Sequence, residues 1–364
     1  MKVLGLSSFP IEAAATRFRL AQFVTPLKDY GIELTLSSFL NSEQFREFYT
    51  SGGILGKAFG MLSPLLRRAI EASHARDHDV ILVQREAMFF GPAVFESLYG
   101  SIAKRPLILD LDDATYVSYR SPTYGRLGSF FKFFGKTDRL ISQADLVICG
   151  NRFIAEYVEN KGSKAVIIPT IVDTDEFCPV ERHDDVPVIG WVGTHSTFPF
   201  LQYLFPILEK LAAKHEFVLK IVGAGTEDIG IPGVKIVNEK WDLNREIADF
   251  QSLDIGLYPI TVSDSANMQW LQGKSGFKAI QYLAVGVPFV MSPVGVCAEI
   301  GEPDSTHFNA VTEDDWYCAL DKLLTDEELR RRMGERGRAY SVQHYNVPMH
   351  AKTLAEALAS ISFD

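Results

Sequence analysis

Cysteine is scarce in this chain. Its four residues, Cys149, Cys178, Cys297 and Cys318, are scattered, with no CxxC pair and no zinc-like spacing. That excludes a disulfide scaffold and suits a reducing compartment. No run of about 18 apolar residues occurs, so no helix is expected to span a membrane. The start, MKVLGLSSFP, has too short an apolar run for a signal peptide and reads as a first strand from residue 2. Positive charge is also in short supply. With 36 Lys and Arg against 46 Asp and Glu, the formal net charge is −10, which argues against nucleic acid as the main partner. The expected location is cytoplasmic.

What is present is the composition of a globular protein, 47% hydrophobic and 23% charged, over 364 residues. That length favours two domains. Short apolar runs alternate with amphipathic stretches, the pattern of βαβ units around parallel sheets. In the first half, strands are expected near 2–6, 34–37, 80–84, 107–111, 146–149 and 165–168, with helices near 16–30, 64–75, 91–99 and 152–160. A polar, acidic, Pro-bounded stretch follows and reads as a linker, after which strands are expected near 188–192, 217–222, 234–236, 255–258 and 289–292. The expected fold class is α/β, with two Rossmann-like domains facing each other across a cleft. They comprise residues 1–170 and 188–345, joined by a linker at 171–187. A last helix within 346–364 is expected to pack back on the first domain.

Ligands of open parallel sheets sit outside the carboxyl ends of the strands, so residues just after strands are the candidates. Arg17 and Arg19 follow the first strand at a helix start, where cations are mildly unfavourable. Either they bind an anion or acceptor, or they are solvated. LILDLDDATY places Asp112 and Asp113, with Asp110, at a strand end. Such carboxylates suit acceptor or catalytic work, a structural turn, or a divalent cation. Arg85 and Glu86 follow another strand and either pair with each other or line the cleft. Residues 120–139 carry five basic residues and one acid, interleaved with Phe130, Phe131, Phe133 and Phe134. That suits an anionic membrane surface or a lipid-linked substrate; the alternative is a core-packed aromatic helix with solvated lysines.

In the second half, IGWVGTHSTF forms a Gly-rich strand-to-helix turn at Gly193, Thr194 and His195. KIVGAGTED places Gly223 and Gly225 after a strand, without the third glycine of a dinucleotide fingerprint. GKSGFKAIQYLAVGVP is the best anion site. Ser275, Gly276 and Phe277 open a helix, and Lys274 and Lys278, four apart, add positive charge on one face.

Taken together, these blocks resemble the retaining, nucleotide-sugar-dependent glycosyltransferases of family 4 (group 1), which have the GT-B fold. IIPTIVDTDEFCP is similar to the family's vIPNGVDtexFxP. LDIGLYPI followed by GKSGFKAIQYLAVGVPFVMSPVG is similar to its aDixlxPs…EGFGLvxlEAMAxGxPVVas block, and LLTDEELRRRMGERGRAYSVQHY to its closing helices. The match spans nearly all of residues 140–345.

The resemblance implies a nucleotide diphosphate sugar bound mainly by the second domain, an acceptor bound by the first, and retention of anomeric configuration. The acceptor would be a saccharide or a lipid-linked molecule in envelope or exopolysaccharide synthesis, with contact to the inner membrane face through residues 120–139. Neither metal nor cofactor is expected. Aligning the family's glutamate pair on Gly286-Val287-Pro288 puts Gly273 and Gln281 at its two positions, and Gln281 and Glu299 become candidates for ribose or sugar hydroxyls. Lys240, Lys274 and Lys278 would supply cations that the family carries elsewhere. Two rivals stand beside this reading: a nucleotide-sugar epimerase of the same fold, and a nucleotide-binding partner subunit without turnover.

Overall fold

The computed structural model describes residues 1–49, 60–117, 133–181, 186–261 and 265–361. These fall into two compact units. The first holds residues 1–170, 272–275 and the C-terminal segment from Val347; the second holds 171–271 and 276–346.

In the first unit six parallel strands run in the order β2-β1-β3-β4-β5-β6. They are β1 (Lys2–Ser7), β2 (Glu33–Ser38), β3 (Val80–Gln84), β4 (Leu107–Leu111), β5 (Leu146–Cys149) and β6 (Ala165–Ile167). β3, β4 and β5 are buried at every residue, which is why they read as unbroken apolar runs. The helices are α1 (Ala14–Arg19), α2 (Ser42–Tyr49), α3 (Leu62–His74), α4 (Val94–Ala103), α5 (Lys136–Gln143) and α6 (Arg152–Asn160). α6 starts where Asn151 accepts a hydrogen bond from the Ile154 N–H at 3.0 Å, an N-cap.

The helix expected over 16–30 is broken. α1 ends at Arg19, and two 3-10 turns follow at Ala21–Phe23 and Pro26–Tyr30. Leu20 leaves the helical region at φ −125°, and Pro26 has no N–H to continue a helical ladder.

The second unit repeats the plan in the order β12-β11-β10-β7-β8-β9. Its strands are β7 (Val188–Val192), β8 (Val218–Val222), β9 (Lys235–Glu239), β10 (Ile255–Tyr258), β11 (Phe289–Met291) and the unexpected β12 (His307–Asn309). Its helices are α7 (Phe198–Gln202), α8 (Phe205–Ala212), α9 (Glu246–Gln251), α10 (Ser265–Gln272), α11 (Phe277–Ala284), α12 (Glu313–Thr325) and α13 (Glu327–His344). A capping box between Thr312 and Asp315 opens α12.

Residues 171–181 are no free tether. Ile171, Val172 and Phe177 are buried, and the Arg338 guanidinium donates to the carbonyls of Thr174 and Phe177 at 2.7 and 2.8 Å. The final helix, α14 (Val347–Ala359), is grouped with the first unit, where it lies against the two 3-10 turns. Among the described residues no helix is long and apolar enough to cross a membrane.

Candidate functional site

Each sheet has a point where its strand order reverses, between β1 and β3 in the first unit and between β7 and β10 in the second. Crevices at the carboxyl ends there are where such sheets bind ligands.

In the first unit this edge is dense in paired charge. Arg19, 3% exposed, locks onto Asp110 through Nε at 3.0 Å and through Nη2, while Nη1 donates to the Ile168 carbonyl at 2.6 Å. Burial opposes the charge on Arg19, but Asp110 outweighs it and raises the guanidinium's pKa above its ordinary value. Arg19, expected on the acceptor side, is thus an internal strut sealed against its counter-ion. Arg17 stays nearer the surface and donates to the Ile11 and Glu12 carbonyls at 3.1 and 3.3 Å.

Arg85 sits just past β3 with φ of 59°, a left-handed conformation that bulky residues rarely adopt. Two things hold it there. Its N–H donates to the Asp110 carbonyl at 2.7 Å, and its guanidinium reaches Asp112 Oδ2 at 2.7 Å and Asp113 Oδ2 at 2.6 Å. Burial alone would raise the Asp112 carboxyl's pKa; Arg85, with Arg19 behind it, outweighs that and holds it below the usual carboxylate range. Asp110, Asp112 and Asp113 all face guanidinium groups. Among the described residues, no group of three His, Cys, Asp or Glu is placed to hold a metal ion.

Arg85 and Glu86 do not pair with each other. Glu86 pairs with Lys136 at 2.7 Å, and Lys136 also donates to the Met88 carbonyl at 2.7 Å. Lys136 is 6% exposed, so this member of the basic segment 120–139 is not a surface cation. Residues 120–132 of that segment lie outside the described residues.

Residues 273–275 belong to this same edge. The Ala114 N–H donates to the Gly273 carbonyl at 3.2 Å, Asn151 Nδ2 donates to the Lys274 carbonyl at 3.1 Å, and the Ser275 N–H donates to Asp113 Oδ1 at 3.3 Å. A Cβ on Gly273 would fall 2.2 Å from the Ala114 Cβ, so no side chain fits there. The helix begins only at Phe277. Lys274 and Lys278 therefore do not share a helical face, and the five-residue nest is split, with Lys274 and Ser275 in the first unit and Gly276, Phe277 and Lys278 in the second.

The second unit's edge is built differently, from glycine turns. Gly223, at φ +84°, passes so close to the loop after β7 that a Cβ would sit 2.3 Å from the Gly193 carbonyl oxygen. This brings together two expected loops, Gly193–Thr194–His195 and Gly223–Gly225, with Thr194 and His195 exposed. α11 opens on Gly276 at φ +64° with no side chain capping it. That leaves its first turn to the helix dipole, which favours an anion. Gly276 packs on Ile300, Val296 and Cys297, so the turn Gly295–Glu299, ending in exposed Glu299, lies against the same helix start.

Within α11, Lys278 Nζ donates to Gln281 Oε1 at 3.2 Å and lies 5.2 Å from the Phe250 ring centre. Gln281, expected as a candidate for ribose or sugar hydroxyls, is wholly buried. Lys240 is 91% exposed, and its ammonium lies 3.5 Å from Glu227. The expectations missed Asn151, which caps α6 and reaches the Lys274 carbonyl; it had a readable signal, an Asn directly before an amphipathic helix.

No protein-family model matches the sequence, and no curated protein matches it. Solved structures do. The chain is similar to sucrose-phosphate synthase from Thermosynechococcus elongatus at 14% identity and TM-score 0.67, over 99% of this chain and 98% of that one. It is similar to a glycosyltransferase from Rickettsia africae at 15% identity and TM-score 0.68, over 99% of both chains. It is also similar to Anabaena HepE in complex with UDP-glucose, at 16% identity and TM-score 0.68, over 99% of this chain and 100% of that one. At such identities the likeness is one of fold: two Rossmann-like units of the GT-B class.

Proposed function

We propose that this chain is a glycosyltransferase that takes a sugar from a nucleotide diphosphate donor. The observation that carries the reading is the start of α11: an uncapped helix N-terminus on a left-handed glycine, with Lys278 in its first turn, following the β10 switch strand. The end-to-end fold likeness to glycosyltransferases, one of them in complex with UDP-glucose, supports it. In this reading Lys278 and the amides of Gly276 and Phe277 hold the diphosphate, and the turns at Gly193–His195 and Gly223 face the donor. Arg85, Asp112 and Asp113 serve the acceptor in the first unit.

The main catalytic term is stabilisation of charge on the departing diphosphate by backbone dipoles and a fixed cation, without a metal. Retention of anomeric configuration, a saccharide or lipid-linked acceptor, and an envelope role at the cytoplasmic membrane face complete the proposal.

A second reading, a nucleotide-binding partner subunit, is favoured by one feature: the space at Gly273 is filled by Ala114, so no carboxylate can stand there. Incubation with UDP-, GDP- and dTDP-sugars, with and without saccharide acceptors, separates the readings. Nucleotide release that depends on acceptor and survives EDTA is expected. Isomerisation of the sugar without acceptor would mean an epimerase, and tight binding without turnover the partner subunit.

A further inference from the structure

We infer that α3 docks the protein on an anionic membrane surface, with Leu62, Leu66 and Ile70 on its outward face inserting among the lipids. The inference rests on the membrane-face part of the proposed function and needs no step of sugar transfer. The three side chains are 55%, 65% and 63% exposed and recur at every fourth residue, which sets them in one stripe along the helix. Singly exposed apolar residues are ordinary on a protein surface, but aligned ones mark an interaction face. Among the described residues no other helix exposes more than one large apolar side chain. The stripe is also held outward. Pro64, Arg68 and Ala72 are buried on the opposite side of α3, where the Arg68 guanidinium donates to the Ser7 carbonyl at 2.7 Å, Ser37 Oγ at 3.0 Å and Glu71 at 2.8 Å. Rolling the helix inward would break that network and strand a buried charge.

Charge selects the occupant. Over residues 62–105, which hold α3, β3 and α4, the exposed ionised side chains are Arg67, Arg76, Lys104 and Arg105 against one acid, Asp77. That balance is the reverse of the whole chain's −10. Arg67 follows Leu66 directly, at the border of the stripe. Arg76 and Arg105 meet where the two helices end: Arg76 Nε donates to the Ile102 carbonyl at 2.7 Å, and Arg105 Nη2 to the Arg76 carbonyl at 3.4 Å. Inserted aliphatic side chains with cations beside them are what an interfacial helix needs, and each Lys or Arg near an anionic leaflet adds attraction. Lys136, from the segment where membrane contact was expected, is instead buried against Glu86.

Flotation of the full chain with vesicles tests this in the absence of any sugar nucleotide. The wild type should float with vesicles of phosphatidylcholine and phosphatidylglycerol, and bind about tenfold less to phosphatidylcholine alone or at high salt. The triple change Leu66→Ser, Leu62→Ser and Ile70→Ser should weaken binding to the anionic vesicles about tenfold or more. Lys104→Gln with Arg105→Gln should narrow the preference for anionic over neutral vesicles. Thermal unfolding of each variant should stay close to wild type, because every changed side chain is exposed. A wild-type chain that floats with neither vesicle overturns the inference, as does unchanged binding by the folded triple variant. A dimer that ignores vesicles and that the triple change dissociates, read by sedimentation, would give the stripe to a second copy and overturn it too. None of these failures touches sugar transfer, which acceptor-dependent nucleotide release reads separately.

Discussion

The carboxyl ends of the two sheets solve one problem in opposite ways. Both sheets are six-stranded and parallel with one reversal of strand order, so both gather polar loops at one edge. The first unit buries full charges in pairs: Arg19 with Asp110, Arg85 with Asp112 and Asp113, and Lys136 with Glu86. The second sets the backbone of Gly223 against Gly193, opens a helix on Gly276 and buries the Gln281 amide behind that helix start. Paired charges leave little field for a ligand but fix geometry. Glycine turns and an uncapped helix start leave dipoles for a ligand to use. The first edge is thus held by its own ions, and the second leaves a helix start without a side-chain cap.

The largest break in this contrast is at Arg19. Arg19→Met leaves Asp110 buried and unpaired and should lower stability by about 3–5 kcal/mol in urea unfolding. Changing both residues, Arg19→Met with Asp110→Leu, should recover much of that loss.

His307 comes next. It is buried, stacked on Phe289, and burial pushes its pKa down from 6.5 to about 4. Between those values the unfolded chain binds the extra proton, so stability should fall as pH drops from about 7 to about 4. At about 1.4 kcal/mol per unit the loss is on the order of 3 kcal/mol. Denaturation curves of His307→Gln should show a flatter dependence over that window.

Gly223→Ala follows. The new Cβ meets the Gly193 carbonyl at a backbone angle that favours glycine, costing about 1–3 kcal/mol and weakening UDP affinity as the paired turns separate. The smallest effect is at Lys278. Its change to Ala should weaken UDP binding about tenfold, near 1.4 kcal/mol, and uridine binding little. Equal loss for both ligands would remove the phosphate assignment.

Much of the architecture was legible in the chain. β3, β4, β5, β7 and β10, and the helix Arg152–Asn160, lie at the expected bounds, because buried parallel strands and amphipathic helices write their periods locally. β12 escaped because His307–Asn309 is three residues long and carries no apolar run. The unbroken helix over 16–30 failed already at Leu20, which leaves the helical region with no proline or glycine to announce it, and Pro26 then opens a separate 3-10 turn. The site was legible as a set of loops, not as a set of contacts. That Gly193 and Gly223 meet is a matter of strand order.

By itself the sequence determined the alternation of strands and helices, the caps, the turns that need glycine, and the location of polar loops after strands. Those follow from interactions within a few residues. Only the tertiary structure decided which charges are buried struts and which stay exposed. Arg19 and Asp110 are 91 residues apart, and Gln281 and Glu246 are 35 apart. Their partners are chosen when the sheets assemble, since pairing a buried charge depends on what lies beside it in space and not on its neighbours along the chain.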